Sequence, residues 1–340
     1  MRGHALKTRL LTGLTVILLV AGCAAGASPT PMPTSAPSVA AATPPPTPTV
    51  TATTAPTPIL TQAPSPTPSV EMPKLVVASD AIQAARSVQS LLERHNAAWD
   101  TTKSADDVLA LWADEVRFTD LLAGWRDEPR ATLERMVRTY VGTPGLGSSP
   151  HGYFVDTTGG VDSYDVWGLG DATEANPVHE IDVLETEDGL LTSMRTVYDV
   201  KSLAHITGRG VADLAPMQAL AQGYADAWSS GEPSSVAELY AQTASRADKL
   251  WGESAEGRQA ISDAAARYFS LNPGAVWQMD MAFGDGPGQV MNGGIFTVRL
   301  AGADACELDA TVVLETNDAQ KIVSDRVFWE LDSLVRCGLA

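Results

Sequence analysis

The stretch VLETED at residues 183–188 returns as VLETND at residues 313–318. Sliding the chain along itself until Val108 falls on Val236 also pairs Leu111 with Leu239, Trp112 with Tyr240, Asp120 with Asp248, Arg130 with Arg258 and Tyr140 with Tyr268. That offset of 128 becomes 129 at Trp99 and Trp228, 130 at the VLET copies and 131 in the last strand, a drift that small differences in loop length account for. Repeats of about 20–50 residues stack into solenoids, whereas copies of about 130 residues are long enough to be domains in their own right. The repeat therefore predicts two domains, over residues 75–207 and 208–340, each a version of one fold.

Each copy opens with a helical pattern. Ile82, Ala85, Val88, Leu92, His95 and Trp99 recur at steps of three and four, as do Leu214, Met217, Ala221, Tyr224 and Trp228, which gives one apolar stripe for packing. A short second helix carries Val108, Leu111 and Trp112, or Val236, Leu239 and Tyr240, with Ser104 and Ser234 as N-caps. A third follows Arg130 or Arg258. The period then changes to two: Trp277, Met279, Met281 and Phe283 alternate with Gln278, Asp280 and Ala282, the mark of half-buried strands. Three helices followed by a four-stranded antiparallel meander make an α+β domain with its helices gathered on one face of the sheet.

Residues 1–74 have another character. Arg2, Lys7 and Arg9 precede the apolar run of residues 10–20, in the order of a secretory signal, and the run is too short to span a bilayer comfortably. Val20-Ala21-Gly22-Cys23 resembles the lipobox of bacterial lipoproteins, which implies a signal peptide over residues 1–22, lipidation of Cys23 and an anchor in the cell membrane. Of the 22 prolines, 14 fall within residues 24–74, a segment with no aromatic residue and only Glu71 and Lys74 charged. Such a composition buries too little apolar surface to offset the entropy of ordering, so residues 23–74 are expected to form an extended, disordered stalk. Without residues 1–22 the chain keeps 20 basic against 41 acidic residues, a net charge of −21. That sign excludes nucleic acid as a partner. An exported location also permits a disulfide between Cys306 and Cys337, provided the tail folds back after the last strand.

The run YADAWSSGEPSSVAELYAQTASRADKLWGESAEGRQAISDAAARYF is similar to the opening of SnoaL-like domains in the nuclear transport factor 2 superfamily: a helix ending in Trp, a polar turn, an apolar helix with an aromatic, an Asp, then a Gly-Arg helix start. The first copy resembles it too, with Pro129 in place of the Gly. The resemblance implies a cone of helices and curved sheet around a pocket, used either for isomerisation, cyclisation or dehydration or for binding without chemistry. It also implies that the two copies pack as an intramolecular pseudo-dimer.

No His-Glu-x-x-His, cysteine cluster, P-loop, dinucleotide fingerprint or Gly-x-Ser-x-Gly occurs, so no metal or cofactor is expected. Asp325 interrupts the apolar row Val323, Val327, Trp329 and Leu331, and a carboxylate desolvated there is a candidate base. The resemblance would set it beside Asp248 with Tyr224 or Tyr268 as hydrogen-bond donor. In the first copy Met194 takes its place, and the candidate polar lining is Asp120, His179 and Tyr198. Glu180 and Asp182 lie on the strand face opposite His179, where a solvated surface explains them. Trp125 and Trp251, in the loop before the third helix of each copy, are candidate pocket walls. Because the acidic position differs between copies, the sequence favours a lipid-anchored protein that binds a small apolar molecule or an envelope protein. An enzyme using Asp325 is the alternative.

Overall fold

The computed structural model describes residues 76–99, 103–168, 170–208, 210, 214–285, 291–301 and 305–340; Cys23, the signal and the stalk lie outside them. The first half runs α1 (Ser79–Ala98), α2 (Ala105–Leu109), β1 (Trp112–Asp120), β2 (Trp125–Glu128), α3 (Arg130–Tyr140), β3 (Gly147–Val155), β4 (Gly159–Trp167), β5 (Val178–Glu187), β6 (Leu190–Asp199) and α4 (Val200–Thr207). The second half repeats that order as α5 (Ala215–Ser229), α6 (Pro233–Leu239), β7 (Tyr240–Asp248), β8 (Glu253–Glu256), α7 (Arg258–Leu271), β9 (Val276–Gly284), β10 (Met291–Leu300), β11 (Cys306–Thr316), β12 (Ile322–Trp329) and α8 (Leu331–Arg336). The fold is α+β, with eight helices among the described residues and a large mixed sheet.

Three features differ from the sequence reading. Trp112 and Tyr240 do not belong to the second helices but open β1 and β7, where both side chains are buried. Each half has a hairpin between its second and third helices, and its first strand lies parallel to its last, β1 on β6 and β7 on β12, so the sheet is more than an antiparallel meander. A short helix follows each last strand. At the helix starts, Ser104 caps α2 through a reciprocal pair with Asp107, which sits in the first turn where a negative charge is favoured. In α6 the cap is instead Glu232, since Pro233 occupies the first turn and Ser234 falls inside the helix. The matching arginines do matching work: Arg130 Nη1 donates to the Trp112 carbonyl at 2.7 Å and Arg258 Nε to the Tyr240 carbonyl at 2.9 Å. Each arginine thereby fastens its third helix to the start of the hairpin.

Strands of the two halves meet at two narrow seams, Tyr198 and Asp199 of β6 against Gly284 and Phe283 of β9, and Trp329 of β12 against Val155 of β3. Hydrogen bonding then passes through β3, β4, β5, β6, β9, β10, β11 and β12 and returns to β3. Helices α1 and α5 pack on strands of their own halves, while α4 also reaches β9 and α8 reaches α1. On the sheet face away from those helices, Phe154, Val161, Ile181, Val183 and Val197 share one apolar cluster with Phe283, Met291, Val313 and Phe328. Ion pairs cross the same contact in a reciprocal way: Arg195 pairs with Asp285, and Arg326 with Asp156 and Glu185. Arg195 corresponds to Arg326 at the last-strand offset, and Asp156 to Asp285 at the offset of the tryptophans. The end of the chain is closed by Cys306–Cys337, with Cα atoms 5.8 Å apart, because α8 turns the tail back over the start of β11. Leu331 and Leu334 of α8 are buried, and the Leu339 carbonyl accepts the Val77 amide at 2.8 Å.

Candidate functional site

Antiparallel register aligns two polar rows across β4, β5 and β6. Asp162 lies opposite Asp182 and Asp182 opposite Thr196, while Tyr164 lies opposite Glu180 and Glu180 opposite Tyr198. Parallel pairing of β1 with β6 adds Asp120 beside Thr196. Side chains alternate across a strand, so these residues share the face opposite Ile181, Val183 and Val197. The face is tied together side chain to side chain. Tyr164 Oη lies 2.7 Å from Asp182 Oδ2 and 3.1 Å from Glu180 Oε2; Thr196 Oγ1 donates to Asp182 Oδ1 at 2.6 Å; Tyr198 Oη donates to Asp120 Oδ2 at 3.0 Å; and Asn96 of α1 donates to Asp162 Oδ2 at 3.1 Å. Asp162 is buried, with 1 % exposure, and its Oδ1 has no hydrogen-bond partner among the described residues.

Four carboxyls in one buried patch cannot all be ionised without cost. Burial pushes Glu180 up to about 8 and Asp182 to about 6, each reinforced by neighbouring carboxyls, and burial also raises Asp120 and, by more, Asp162. Proton counting agrees with this direction. A single phenolic hydrogen serves one acceptor, so the contact of Tyr164 with both Asp182 and Glu180 needs a second proton, which a neutral Glu180 supplies to the Tyr164 oxygen. The shifts favour retained protons in the patch, and Asp162 Oδ1 is left without a partner among the described residues.

The second half lacks this chemistry position by position. Its two rows are Gly294, Val312 and Val327, and Phe296, Ala310 and Trp329. Aromatic rings of Tyr224, Trp228, Tyr268, Trp277 and Phe296 pack with centroids about 5.4–6.3 Å apart on this side. Asp325 sits within them, fully buried, paired in register with Leu314 as Met194 is with Leu184. Its Oδ2 accepts hydroxyls of Tyr224, at 3.1 Å, and Tyr240, and lies 3.5 Å from Arg246 Nε. Burial raises its pKa and the guanidinium opposes that rise. Asp248 accepts Trp329 Nε1 at 3.1 Å and lies 4.0 Å from Arg246, which links it to Asp325 through the arginine; burial pushes it up to about 7. Tyr268 instead accepts the indole hydrogen of Trp277 at 2.9 Å.

The structure thus joins Asp325 with Tyr224, and Asp120 with Tyr198, and separates His179 from both groups. His179 contacts Ser163 and Asp165, each at 3.0 Å, on the face that carries Ile181 and Val183. Asp120 also accepts the amides of Leu122 and Ala123, so the turn after β1 and the site share one carboxylate. Trp125 and Trp251 are half-buried, Trp125 against Phe118 at 5.2 Å and Trp251 edge-on to Trp329 at 6.2 Å. Sequence reasoning missed Asp162, Tyr164, Thr196, Tyr240 and Arg246, and it placed Glu180 and Asp182 on a solvated surface. The apolar strand face is covered by the other half, which leaves the acidic face to meet the helices. The signal was present: the polar phase of Asp162 and Tyr164 matches that of Glu180 and Asp182 on the adjacent strand.

Solved structures similar to this chain include a hypothetical protein with a ketosteroid isomerase-like fold from Catenulispora acidiphila in complex with trimethylamine, 22 % identical over 36 % of this chain and 93 % of that one, with a TM-score of 0.32. A putative ketosteroid isomerase from Kribbella flavida is 21 % identical over 34 % of this chain and 78 % of its own, at a TM-score of 0.28. A putative isomerase of the SnoaL-like family from Agrobacterium tumefaciens is 23 % identical over 34 % and 98 %, at 0.28. No protein-family model and no curated protein sequence matches the chain.

Proposed function

We propose that this protein is a lipid-anchored, extracytoplasmic binding protein built from two SnoaL-like copies, and that the first copy holds a small ligand rich in hydrogen-bond donors, an organic ammonium ion above all. The observation that carries this reading is the unpartnered Oδ1 of the buried Asp162 beside three further carboxyls on one sheet face. A bound cation neutralises groups that otherwise retain protons, and a hydrogen bond to a charged group contributes about 1.5–3 kcal/mol. The polar character of that face replaces the apolar ligand expected from the sequence. The second copy, filled by aromatic side chains, serves as the packing partner. Anchoring rests on the signal, the lipobox at Cys23 and the stalk; no helix among the described residues is long and apolar enough to cross a membrane.

Calorimetric titration of the full-length protein with short alkyl monoamines and diamines, and with diols of matched length, tests the reading. Amines should bind with proton release, diols should not, and Asp162→Asn should weaken amine binding at least about tenfold, or about 1.4 kcal/mol. Equal affinity for amine and diol, or an unaffected Asp162→Asn variant, would overturn it.

A second reading, acid–base catalysis, is favoured by one observation: the Tyr164 hydroxyl joins Glu180, raised to about 8, to Asp182, raised to about 6. A neutral acid and an ionised base coupled in one patch suit proton transfer at neutral pH. In this reading the reacting groups lie in the first copy, not at Asp325, whose Oδ2 is already held by two tyrosines and faces Arg246.

A further inference from the structure

The opposite face of the first half's sheet carries a second constellation, separate from the carboxyl patch. His151, Asp165 and His179 stand too far apart in sequence for any local metal motif, and β3, β4 and β5 bring them together. Asp165 pairs in register with His179 across β4 and β5. His151 arrives by a different device: the β3–β4 register slips between Pro150 and Gly152, so His151 is the extra residue of a bulge, a feature that re-aims a side chain. His151 Nε2 lies 3.0 Å from one Asp165 oxygen and His179 Nδ1 3.0 Å from the other, with the rings 4.8 Å apart. All three donor atoms fall within 4.8 Å of one another.

We propose that His151, Asp165 and His179 form a binding site for a divalent transition-metal ion, zinc by preference. Two imidazoles and one carboxylate are a ligand set suited to zinc and its neighbours rather than to calcium or magnesium, which take oxygen. Zinc bonds of about 2.0–2.1 Å at tetrahedral angles place two ligands about 3.3 Å apart, close to the two 3.0 Å contacts already present. The remaining gap closes by rotation of His151, whose side chain is 49 % exposed. The supporting contacts are in place as well. His179 Nε2 meets Ser163 Oγ at 3.0 Å, which orients the ring from behind, and its backbone amide donates to Ser202 Oγ of α4 at 2.7 Å. Among the described residues the two imidazoles are the ion-pair partners of Asp165, so no fixed cation competes for its charge. His151 also edges an open cleft of about 280 Å³ with Glu93, Tyr153, Glu330 and Asp332. Three protein ligands with an open position describe a zinc site that binds something else in turn.

Calorimetry with zinc chloride on untagged, EDTA-stripped full-length protein, paired with the visible absorption of bound cobalt(II), tests the site. We expect one ion per chain, a cobalt spectrum of low coordination number, and affinity at least about tenfold weaker in His151→Ala. His205→Ala, which removes the exposed histidine paired with Asp171, and Asp182→Asn, which alters the carboxyl patch, should leave zinc affinity unchanged. The exposure of His151 makes its variant safe for folding, and thermal unfolding without metal confirms that. Absence of zinc binding by the parent, undiminished binding by His151→Ala, or loss of binding in Asp182→Asn alone would each overturn the assignment.

Discussion

Replacing Asp182 by Asn should change how stability depends on pH more than it changes stability itself. Asp182 has 2 % exposure, and burial, with Asp120 nearby, lifts its pKa from 3.8 to about 6 against the pull of Thr196 and Tyr164. A rise of that size corresponds to at most about 3 kcal/mol of preference for the neutral form in the native state. The unfolded chain releases this proton at its ordinary value, so between 3.8 and about 6 the native state binds more protons than the unfolded one. Stability is then greatest below the ordinary value and is lost as pH rises through about 6, with a slope of at most about 1.4 kcal/mol per pH unit from this group. Asn keeps an acceptor for Thr196 and a hydrogen-bond partner for Tyr164 but does not ionise. Urea unfolding from about pH 4.5 to about pH 7.5, at constant m, measures both proteins. The parent should lose stability across that window, and Asp182→Asn should lose about 1–2 kcal/mol less. A variant profile parallel to the parent's, or a parent that gains stability with rising pH through this carboxyl's range, would refute the reasoning.

Asp325→Asn leaves the buried Arg246 with Asp248 and Glu253 as its charged partners and takes the charged acceptor from the Tyr224 and Tyr240 hydroxyls, and should cost about 1.5–3 kcal/mol in denaturant unfolding. Cys306→Ser, which opens a bridge across a sequence separation of 31, should cost about 3–4 kcal/mol by loop entropy, and reductant should bring the parent to the same midpoint. Metabolic labelling with a fatty-acid analogue should mark the full-length protein, and Cys23→Ser should abolish the label; a variant labelled as strongly as the parent removes the anchor from the account.

The apolar periodicities announced α1, α5 and the last four strands of each half, because each buries one side against a core. The repeat itself announced which residues correspond, and Arg130 and Arg258 make the same backbone contact. What stayed hidden depends on tertiary contacts, some of them between the halves. A strand with hydrophobic residues on one side reads as having its other side in water, yet β5 is enclosed on both: Ile181 and Val183 meet the second half, and Asp182 is buried on the helix side. The disulfide depended on α8 reversing the chain, and that helix is too short to show a period. His151, Asp165 and His179 became neighbours through strand pairing and a bulge, neither of which leaves a mark in local spacing.

The most direct measurement is a carbon-13 NMR titration of the Asp and Glu carboxyls, with and without a bound diamine. The account predicts carboxyls of the first half titrating near 6 and near 8, shifting downward when the cation occupies the face. If every carboxyl outside the Asp248–Asp325 pair titrates in the ordinary range near 4, or if the diamine leaves the raised values in place, then the first half holds no proton-sharing site for a cation.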